Sequence, residues 1–540
     1  MLFCPAATGG YIKSLSKSFC ICADRGNGKK IRSRKKRTGS RPAPGECVVT
    51  DISFSPAEVQ LPSGHFLGGR LVTGAEDIAV ISPGNGEVIA GLPEAGENLV
   101  DEAVRLAAKV QQESGWSTCA PRDRARVLRR WADLVDQHRV GLARLETICS
   151  TRPIAETLAW DIPFLAEGIR FFAEYCDKTG GEVAATSSDL LGMTIHEPYG
   201  VTGAIAPWNF PLVMASWKVV PALAAGNGSV LKPSEMTPFS VVRLAELACE
   251  AGLPAGLFNV VQGTGPVTGE ALCRHPLIGK LSFTGSTRTG IAVMKAAAES
   301  GPKPVTLELG GKSPQLVFGD IPSVEDVADR IFRAFTGNAG QVCVTGSRLI
   351  VHRSVAGQLT EALIRRCARP RAMAPWSGKA AWSPIISATQ ADRILKIVSD
   401  SQAAGAESLA NCARMDNGNG GVFLSPGILS VSDTDCPAWQ EEIFGPVLSV
   451  RVFDEEDEAF TLAQHPVYGL AAGVHTSNMG RVMRAIRTLK AGTVWVNRYG
   501  RSSDFVIPTG GYGGSGIGKD LGRQAFEANL RLKSVLMAAG

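Results

Sequence analysis

The sequence predicts an α/β fold built around a parallel sheet, and three observations support this prediction. From residue 201 to about 500, short apolar segments typical of buried strands alternate with helical segments. Two glycine-rich segments, GTGPVTG at 263–269 and FTGSTRTG at 283–290, directly follow predicted strands. The chain has 540 residues, which is too long for one hydrophobic core. We therefore expect more than one domain, with the functional site beyond the carboxyl ends of the strands.

The elements follow one another in a regular order. Apolar residues three and four apart predict helices over residues 97–179. The predicted strands after this region are VTGAIA, GSVLKPS, LFNVVQG and KLSFTG. The helix after the second strand is predicted to have Thr237 as N-cap, Pro238 at its first position and Gly252 past its end. Either glycine-rich segment could bind phosphate at a helix start, and a plain tight turn is the alternative for each.

The N-terminal segment, residues 1–53, differs from the rest of the chain by its basic composition. Residues 1–47 hold 11 Lys and Arg against 2 Asp and Glu, whereas the whole chain has a net charge of +5. Because the segment lacks apolar periodicity, we expect a disordered extension, with a mitochondrial presequence as the alternative. The remaining chain is slightly acidic, so we expect no nucleic-acid partner. No apolar run approaches the roughly 20 residues of a membrane span, and we expect no membrane partner.

One cysteine stands in an unusual place. Cys343, in GQVCV, follows the small-residue loop TGNAG. A thiol acts as a nucleophile when it is partly exposed and its thiolate is stabilised, and the flanking valines cannot stabilise it. Candidate partners are Asn209 in PWNFP, Glu308 in LELGG and Glu442 in EEIFGP. A buried carboxylate that stays charged and unpaired costs several kcal/mol, so both glutamates need a functional reason.

The other cysteines and histidines point to no metal. Neither C-x-x-C pairs nor histidine clusters occur at zinc spacing, so we expect no metal site. The 13 cysteines are too sparse for a disulfide framework in so long a chain, and we interpret them as reduced. Reduced cysteines favour a cytoplasmic location.

Together these stretches resemble the aldehyde dehydrogenase superfamily over about residues 54–535. The motifs PWNFP, LKPSE, FTGSTRTG, LELGGKSP, GQVCVTGSR, EEIFGPV and GTVWVN occur in the family's order and at its spacing. The resemblance implies a Rossmann-like NAD-binding domain at 54–181 and 202–308, an α/β catalytic domain at 309–507, and a small β oligomerisation arm at 182–201 and 508–540. It also implies a homodimer or homotetramer.

The resemblance further implies NAD-dependent oxidation of an aldehyde to the carboxylic acid, through a cysteine thiohemiacetal and a thioester. In this interpretation Cys343 is the nucleophile, Asn209 and the Cys343 backbone N–H hold the oxyanion, and Glu308 is the general base. The implied cofactor-binding residues are Trp208, Lys232, Glu235, Gly285, Ser286, Gly290, Glu442 and Phe444. The implied walls of the aldehyde site are Phe210, Val213, Met214, Trp217, Val342 and Val344. The Glu235 carboxylate favours NAD by repelling a 2′-phosphate, and NADP is the alternative.

Several positions depart from the family pattern. Residues 508–511 read PTGG where PFGG is usual, Gly513 replaces a common lysine, and Lys519-Asp520 replaces an Arg-Glu pair. That glutamate contributes to proton release in some members, so Asp520 leaves the proton route open. Lys218 matches a lysine near the active site.

The identity of the aldehyde is left open by the sequence. The segment 498–507 helps to line the aldehyde tunnel in relatives, and here it carries Arg498, Arg501 and Asp504. The substrate could therefore be aliphatic, aromatic, amino or acidic. An acylating enzyme that passes the thioester to coenzyme A is the enzymatic alternative, and Glu308 argues against it. A non-catalytic relative is the other alternative, and the intact Cys343 argues against that.

Overall fold

The computed structural model describes residues 51–75 and 77–538. The predicted N-terminal extension lies almost wholly outside the described residues, as do the interpretations attached to it. Residues 53–540 form one compact unit. Within the part of the chain that the structure describes, no helix is both long and apolar enough to cross a membrane.

The strands have the following bounds, in chain order: β1 His65–Leu67, β2 Arg70–Val72, β3 Ile78–Ile81, β4 Val88–Leu92, β5 Val183–Ala184, β6 Leu190–Pro198, β7 Val201–Ile205, β8 Gly228–Lys232, β9 Phe258–Val260, β10 Ile278–Thr284, β11 Val305–Glu308, β12 Pro314–Val317, β13 Arg348–His352, β14 Glu407–Ala410, β15 Arg414–Met415, β16 Phe423–Leu424, β17 Gly427–Ser430, β18 Val447–Phe453, β19 Tyr468–Gly469, β20 Ala471–His475, β21 Thr493–Val496, β22 Tyr512–Gly513, β23 Gly516–Ile517 and β24 Leu530–Ala538.

The α-helices have these bounds: α1 Glu97–Glu113, α2 Pro121–Gln137, α3 Arg139–Cys149, α4 Ile154–Glu156, α5 Ile162–Tyr175, α6 Pro211–Ala224, α7 Phe239–Glu250, α8 Glu270–Arg274, α9 Thr287–Glu299, α10 Val324–Thr336, α11 Arg353–Cys367, α12 Ala388–Ala403, α13 Pro437–Gln440, α14 Glu456–Ala463, α15 Met479–Thr488 and α16 Gly522–Glu527.

The predicted α/β architecture is confirmed, and it contains two large sheets. The first has the strand order β2-β1-β9-β8-β7-β10-β11-β23. Its five central strands, β9, β8, β7, β10 and β11, run parallel to one another. The strands on either side of these five, β1 and β23, pair with them in the antiparallel direction. The four strands predicted from the sequence are β7, β8, β9 and β10. Strands β7 and β8 are buried along almost their whole length, which explains their continuous apolar sequence.

The second large sheet has the order β14-β17-β18-β13-β12-β20-β21 and is parallel except at β14. A separate antiparallel sheet has the order β24-β6-β5. Its long pair, β24 with β6, leaves several leucines exposed, among them Leu191, Leu532 and Leu536.

Helix α7 shows where local capping rules succeed and where they fail. The prediction of Thr237 as N-cap is wrong, because α7 begins at Phe239 and no side chain caps its first turn. The Thr237 N–H instead closes a turn on Ser234 O at 3.0 Å, and this turn precedes the helix. The Gly252 prediction is confirmed. Gly252 has a φ of +97°, and its N–H donates to Cys249 O at 2.9 Å.

The parallel strands of the first sheet bring polar residues to one edge. Ile205 pairs in register with Lys232 on one side and with Phe283 on the other, and Thr284 pairs with Glu308. Lys232, Thr284 and Glu308 are therefore the last residues of neighbouring strands. This edge is where an α/β sheet binds ligands.

A buried arginine bonds the start of strand β13, just after the Cys343 loop, to two neighbouring segments of backbone. Arg348, the first residue of β13, donates to Lys312 O at 2.8 Å and to Ala463 O at 2.8 Å. It also donates to Leu462 O and Gln464 O, so it satisfies backbone carbonyls at the end of α14.

Replacing Arg348 with Met should destabilise the protein strongly, because four carbonyl groups would lose their donor, two of them in fully buried hydrogen bonds. A hydrogen bond to a charged group is worth about 1.5–3 kcal/mol, so we expect a loss of about 3 kcal/mol or more in urea unfolding. The matched control is Arg353→Met, whose partner Asp454 is exposed. We expect the control to leave the midpoint nearly unchanged. Equal effects of the two substitutions would contradict this role for Arg348.

Candidate active site

A pocket of about 1050 Å³ lies between residues contributed by both large sheets. It gathers most of the residues singled out in the sequence: Trp208, Asn209, Phe210, Val213, Met214, Trp217, Gly285, Ser286, Val342, Cys343, Val344, Glu442 and Phe444. Four of the predicted residues do not line it: Lys232, Glu235, Glu308 and Gly290. Of the nine cysteines in the described part of the chain, Cys343 is the one that lines this pocket.

The loop before Cys343 has an unusual backbone. Asn338 and Ala339 both have a φ of +50°, and Gly340 follows with a φ of +74°. A Cβ on Gly340 would lie 2.1 Å from Gly445 O, so only glycine fits there. The side chain of Gln341 fixes the loop, because its Nε2 donates to Asn338 O at 3.0 Å and its Oε1 accepts from Ile386 N at 3.0 Å. Small residues before Cys343 are thus a requirement of the loop.

Asn209 is tied to the same loop. Its Nδ2 donates to Gln341 O at 3.0 Å, and its backbone carbonyl accepts from Asn338 Nδ2 at 3.1 Å. A side-chain amide nitrogen carries two hydrogens. The bond to Gln341 uses one of them, so the other can donate to an oxygen bound beside Cys343.

The half-buried Cys343 thiol is protonated at neutral pH. Burial is the largest influence and raises its pKa to about 11. The guanidinium of Arg501 lowers this pKa, whereas the carboxylates of Glu308 and Glu442 raise it. The thiol therefore needs a base before it can attack a carbonyl carbon.

Glu308 ends strand β11 as a buried carboxyl group. Burial, followed by the charge of Asp520, raises its pKa to about 8. Among the described residues its Oε1 has no hydrogen-bond partner. A Cβ on Gly510 would lie 2.7 Å from that oxygen, so the glycine of PTGG keeps space free beside Glu308.

A buried ion pair lies behind Glu308. Lys218 Nζ donates to Asp520 Oδ2 at 2.5 Å, and both side chains are almost fully buried. A second buried lysine, Lys280, donates to Asn529 Oδ1 at 3.2 Å. Burial lowers the pKa of Lys280 to about 8. Asp520, which replaces the glutamate usual in the family, therefore forms a direct ion pair with Lys218.

The other end of the pocket contains Glu442, Phe444 and Trp208. Glu442 Oε1 accepts from Gly311 N at 2.9 Å, and burial raises the pKa of Glu442 to about 7. Phe444 has a φ of +54°, and its ring meets Trp208 edge to face at a centroid distance of 5.3 Å. A non-glycine residue in this strained conformation is typical of a functional site.

The FTGSTRTG segment forms the start of α9. Ser286 is the N-cap, and its Oγ accepts from Thr289 N at 3.2 Å. The Gly285 N–H donates to Glu308 O at 3.1 Å. Gly290 lies one turn further and does not line the pocket. A Cβ there would lie 2.6 Å from Leu309, so Gly290 allows α9 to pack closely on the end of β11.

Lys232 and Glu235 lie at the same sheet edge, outside the pocket lining. Lys232 Nζ is 3.1 Å from Glu235 Oε2 and 2.9 Å from Pro233 O. Burial lowers the pKa of Lys232, while the charge of Glu235 raises it. The Glu235 side chain is about one-third exposed, so it can accept further hydrogen bonds from a ligand.

Sequence reasoning missed several residues that shape the pocket. Tyr499 OH donates to Val344 O at 2.8 Å and so supports the Cys343 loop. Arg393 holds the backbone of the EEIFGP segment by donating to Glu442 O and Ile443 O. Further lining residues are Trp160, Arg330, Arg333 and Gln390. The sequence offered no signal for Arg393. Arg501 also lines the pocket, and the sequence analysis had named it within the tunnel segment.

Metal binding has no structural basis in the described ranges. Within residues 51–75 and 77–538, no group of three or more His, Cys, Asp and Glu side chains could hold a metal ion.

Comparison with known proteins identifies the family. The sequence profile of the aldehyde dehydrogenase family matches residues 72–535. The chain belongs to this family, and the resemblance noted in its motifs is confirmed.

Solved structures share the fold over nearly their whole length. The γ-glutamyl-γ-aminobutyraldehyde dehydrogenase of Burkholderia cenocepacia is 40% identical, with a TM-score of 0.87, over 90% of this chain and 98% of that one. An indole-3-acetaldehyde dehydrogenase of P. syringae, solved with NAD+, is 38% identical, with a TM-score of 0.87, over 89% and 98%. A betaine aldehyde dehydrogenase of Staphylococcus aureus, also solved with NAD+, is 34% identical, with a TM-score of 0.85, over 89% and 95%.

Substitution of Glu308 by Gln should stabilise the protein more at pH 8 than at pH 5. The folded-state pKa of about 8 lies above the ordinary value of 4.5. Between these values the folded chain holds a proton that the unfolded chain has lost, so wild-type stability falls as pH rises through this window. Thermal unfolding should show a Tm gain for the variant on the order of 2 °C or more at pH 8.

The matched control for this experiment is Glu325→Gln. Hydrogen bonding by Arg366 lowers the pKa of Glu325, so its carboxylate stabilises the fold at higher pH. Because the pKa of Glu325 lies below pH 5 in both the folded and the unfolded chain, the control should show no trend between pH 5 and pH 8. A Tm difference for Glu308→Gln that stays constant between pH 5 and pH 8 would contradict the raised pKa.

Proposed function

We propose that this protein oxidises an aldehyde to the carboxylic acid, with NAD as hydride acceptor and Cys343 as nucleophile. The observation that carries the proposal is the Cys343 loop itself. Its thiol lies in a pocket beside the Asn209 amide, which is fixed on Gln341 O at 3.0 Å. The same pocket extends to Ser286, Glu442 and Phe444. An aldehyde panel followed by NADH absorbance tests the proposal directly.

The residues of the chain divide the reaction into two halves. The Cys343 thiol gives its proton to solvent, and Sγ bonds to the aldehyde carbon, whose carbonyl oxygen becomes an oxyanion. The free N–H of Asn209 and the Cys343 backbone N–H stabilise that oxyanion. NAD, when bound, accepts the hydride from the former aldehyde carbon, which leaves a thioester on Cys343. Glu308 then removes a proton from water, whose oxygen replaces the sulfur and releases the acid.

The proposed cofactor contacts come from the edge of the first sheet and from the EEIFGP segment. Lys232 and Glu235 fit the adenosine ribose, since Glu235 retains an exposed carboxylate near Lys232. Gly285 and Ser286, at the start of α9, fit the pyrophosphate. Gly290 fits as a packing residue for that helix. Trp208, Glu442 and Phe444 fit the nicotinamide ribose.

The Lys218–Asp520 pair provides a route for the proton that Glu308 collects. In our proposal Asp520 takes the part of the family's glutamate, despite its shorter side chain. The observation in support is its direct contact with Lys218 and its effect on the Glu308 pKa.

The assembly and location are also proposals. The arm of residues 182–201 and 508–540 would join subunits as a homodimer or homotetramer, and its exposed leucines on β6 and β24 support this. Residues 54–181 and 202–308 would form the NAD-binding domain, and 309–507 the catalytic domain. We propose a cytoplasmic location, supported by the free cysteines of the described region, with mitochondrial import as the alternative.

NAD should give a higher kcat/KM than NADP. The Glu235 carboxylate would bond to ribose hydroxyls and repel a 2′-phosphate, and a hydrogen bond to a charged group is worth about 1.5–3 kcal/mol. This corresponds to about 10- to 100-fold in kcat/KM. Glu235→Gln should lower the ratio of kcat/KM with NAD to kcat/KM with NADP, as measured by steady-state rates with each cofactor. Equal efficiency of NADP with the wild-type enzyme would refute this assignment of Glu235.

The two halves of the reaction should separate in two variants. Cys343→Ala should abolish NADH formation. Glu308→Gln should release a burst of NADH once per site and then slow by about 10²–10⁴-fold, because general-base assistance to water is lost. Stopped-flow absorbance and mass spectrometry of the quenched protein detect the burst and the acyl adduct.

The matched control is Cys249→Ala, which removes a thiol outside the pocket and should retain turnover. Absence of both burst and adduct in Glu308→Gln would mean that Glu308 is needed earlier, to deprotonate Cys343. Rapid turnover restored only by coenzyme A would favour the acylating alternative.

A further inference from the structure

Arg501 lies in the pocket together with the apolar residues predicted to form the wall of the aldehyde site. Around Cys343 the pocket is lined by Trp160, Phe210, Val213, Met214, Trp217 and Val342. Arg501, from the loop after β21, is part of the same lining, whereas Arg498 and Asp504 of this loop are not. The structure thus resolves which of the three charges in the tunnel segment faces the substrate space.

The position of Arg501 is set by an aromatic contact. Its guanidinium carbon lies 5.0 Å from the centroid of the Trp217 ring. Stacking on an aromatic face leaves the N–H groups at the edge of the guanidinium free to donate within its plane. Trp217 is itself buried on helix α6, so the stack holds the charge against a fixed surface.

Arg501 has no anionic partner among the described residues. It forms no ion pair and no hydrogen bond there, although the surrounding loop is rich in polar contacts. Asp504, the nearest acid in sequence, instead accepts from the Ser502 hydroxyl. Arg498 turns back to Gly500 O at 3.2 Å. The charge of Arg501 lowers the pKa of the buried Glu308 carboxyl group, but the two side chains form no ion pair. The N–H groups of this half-buried guanidinium therefore lose hydration without gaining an acceptor among the described residues.

The positive charge extends along one side of the pocket. Arg330 and Arg333 on helix α10 also line it, and neither forms an ion pair within the described ranges. Arg330 Nε is buried without a hydrogen-bond partner. The acidic lining residues, Glu441 and Glu442, belong to the EEIFGP segment, where Glu442 is bound to Gly311 N.

We propose that the substrate is an aldehyde whose far end carries a carboxylate, and that Arg501 is the residue that selects it. This inference rests on the proposed function. The apolar walls fit a hydrocarbon spacer between the aldehyde carbon at Cys343 and the carboxylate at Arg501. A planar guanidinium binds a carboxylate through two parallel hydrogen bonds, and such a carboxylate would accept from the N–H groups that no described residue engages.

A second role for Arg501 must be separated from this one. Its charge also acts on Cys343, whose pKa it lowers. An arginine that only stabilised the thiolate would help all aldehydes equally. An arginine that binds the substrate carboxylate changes the preference between acidic and neutral aldehydes of the same length.

The test compares ω-oxo acids of increasing chain length with their matched primary amides, with trimethylammonium aldehydes and with phosphate-ended aldehydes. The wild-type enzyme should favour the acid over the amide of the best length by about 10- to 100-fold in kcat/KM. Arg501→Gln should bring this ratio close to one, and Arg501→Lys should retain part of it, because lysine keeps the charge but lacks the planar fork. Arg498→Gln, which lies outside the pocket, is the matched control and should keep the wild-type ratio.

Each outcome decides the question. A wild-type preference for the amide or the cation, or an acid-to-amide ratio unchanged in folded Arg501→Gln, would overturn the proposal. A preference for a phosphate-ended aldehyde would overturn the carboxylate assignment. Equal losses for acid and amide, together with slower alkylation of Cys343 at neutral pH, would assign Arg501 to the thiol instead. Oxidation of only plain aliphatic or aromatic aldehydes would overturn this proposal and leave the proposed function standing. Failure of the wild-type enzyme with these aldehydes as well as with the whole panel would refute the proposed function itself.

Discussion

The site depends on the burial of the Glu308 carboxyl group at the end of a central strand. Burial keeps this group close to half-ionised near pH 8, where it can both accept and release a proton. That burial is possible only because glycines surround it, Gly510 beside the carboxylate and Gly516 across the strand pair. The Lys218–Asp520 ion pair then lies close enough to influence it. Stability is given up at this position in favour of reactivity, as is usual for strained or desolvated functional groups.

The second constraint is the relative position of two segments, one following a strand of the first sheet and the other preceding a strand of the second, which together form the site around Cys343. Asn209 follows β7 of the first sheet, and the loop of Cys343 precedes β13 of the second. The hydrogen bonds among Asn209, Asn338 and Gln341 join these segments directly. Three left-handed residues in succession give the loop its shape, and they could not persist without such anchors. The glycine-rich sequence before Cys343 therefore serves backbone geometry, and the valines beside it serve the pocket wall.

Most of the strand order in sequence, and the residues of the pocket, could be predicted, because alternation and motif spacing are local properties. The start of α7 could not, since a turn at Ser234–Thr237 overrides the capping preference of Thr237. The contact of Lys218 with Asp520 joins residues 302 positions apart, and no local pattern reports it. The cofactor role implied for Gly290 stays a prediction, and tertiary packing adds a requirement for glycine there, because a Cβ would meet Leu309. Tertiary packing, rather than propensity, decided each of these cases.

In our proposal, the residue that selects the substrate lies in a different kind of segment from the residues that carry out the reaction. Cys343, Asn209 and Glu308 lie at strand ends or in anchored loops, where the fold itself fixes their positions. Arg501 lies in a connecting loop after β21, where sequence can change without disturbing the sheets. A charge placed there reaches the pocket by resting on Trp217, so one loop residue and one helix residue together define the far end of the site. The family fold thus determines that an aldehyde is oxidised, and in our proposal the charge of this one loop selects among aldehydes.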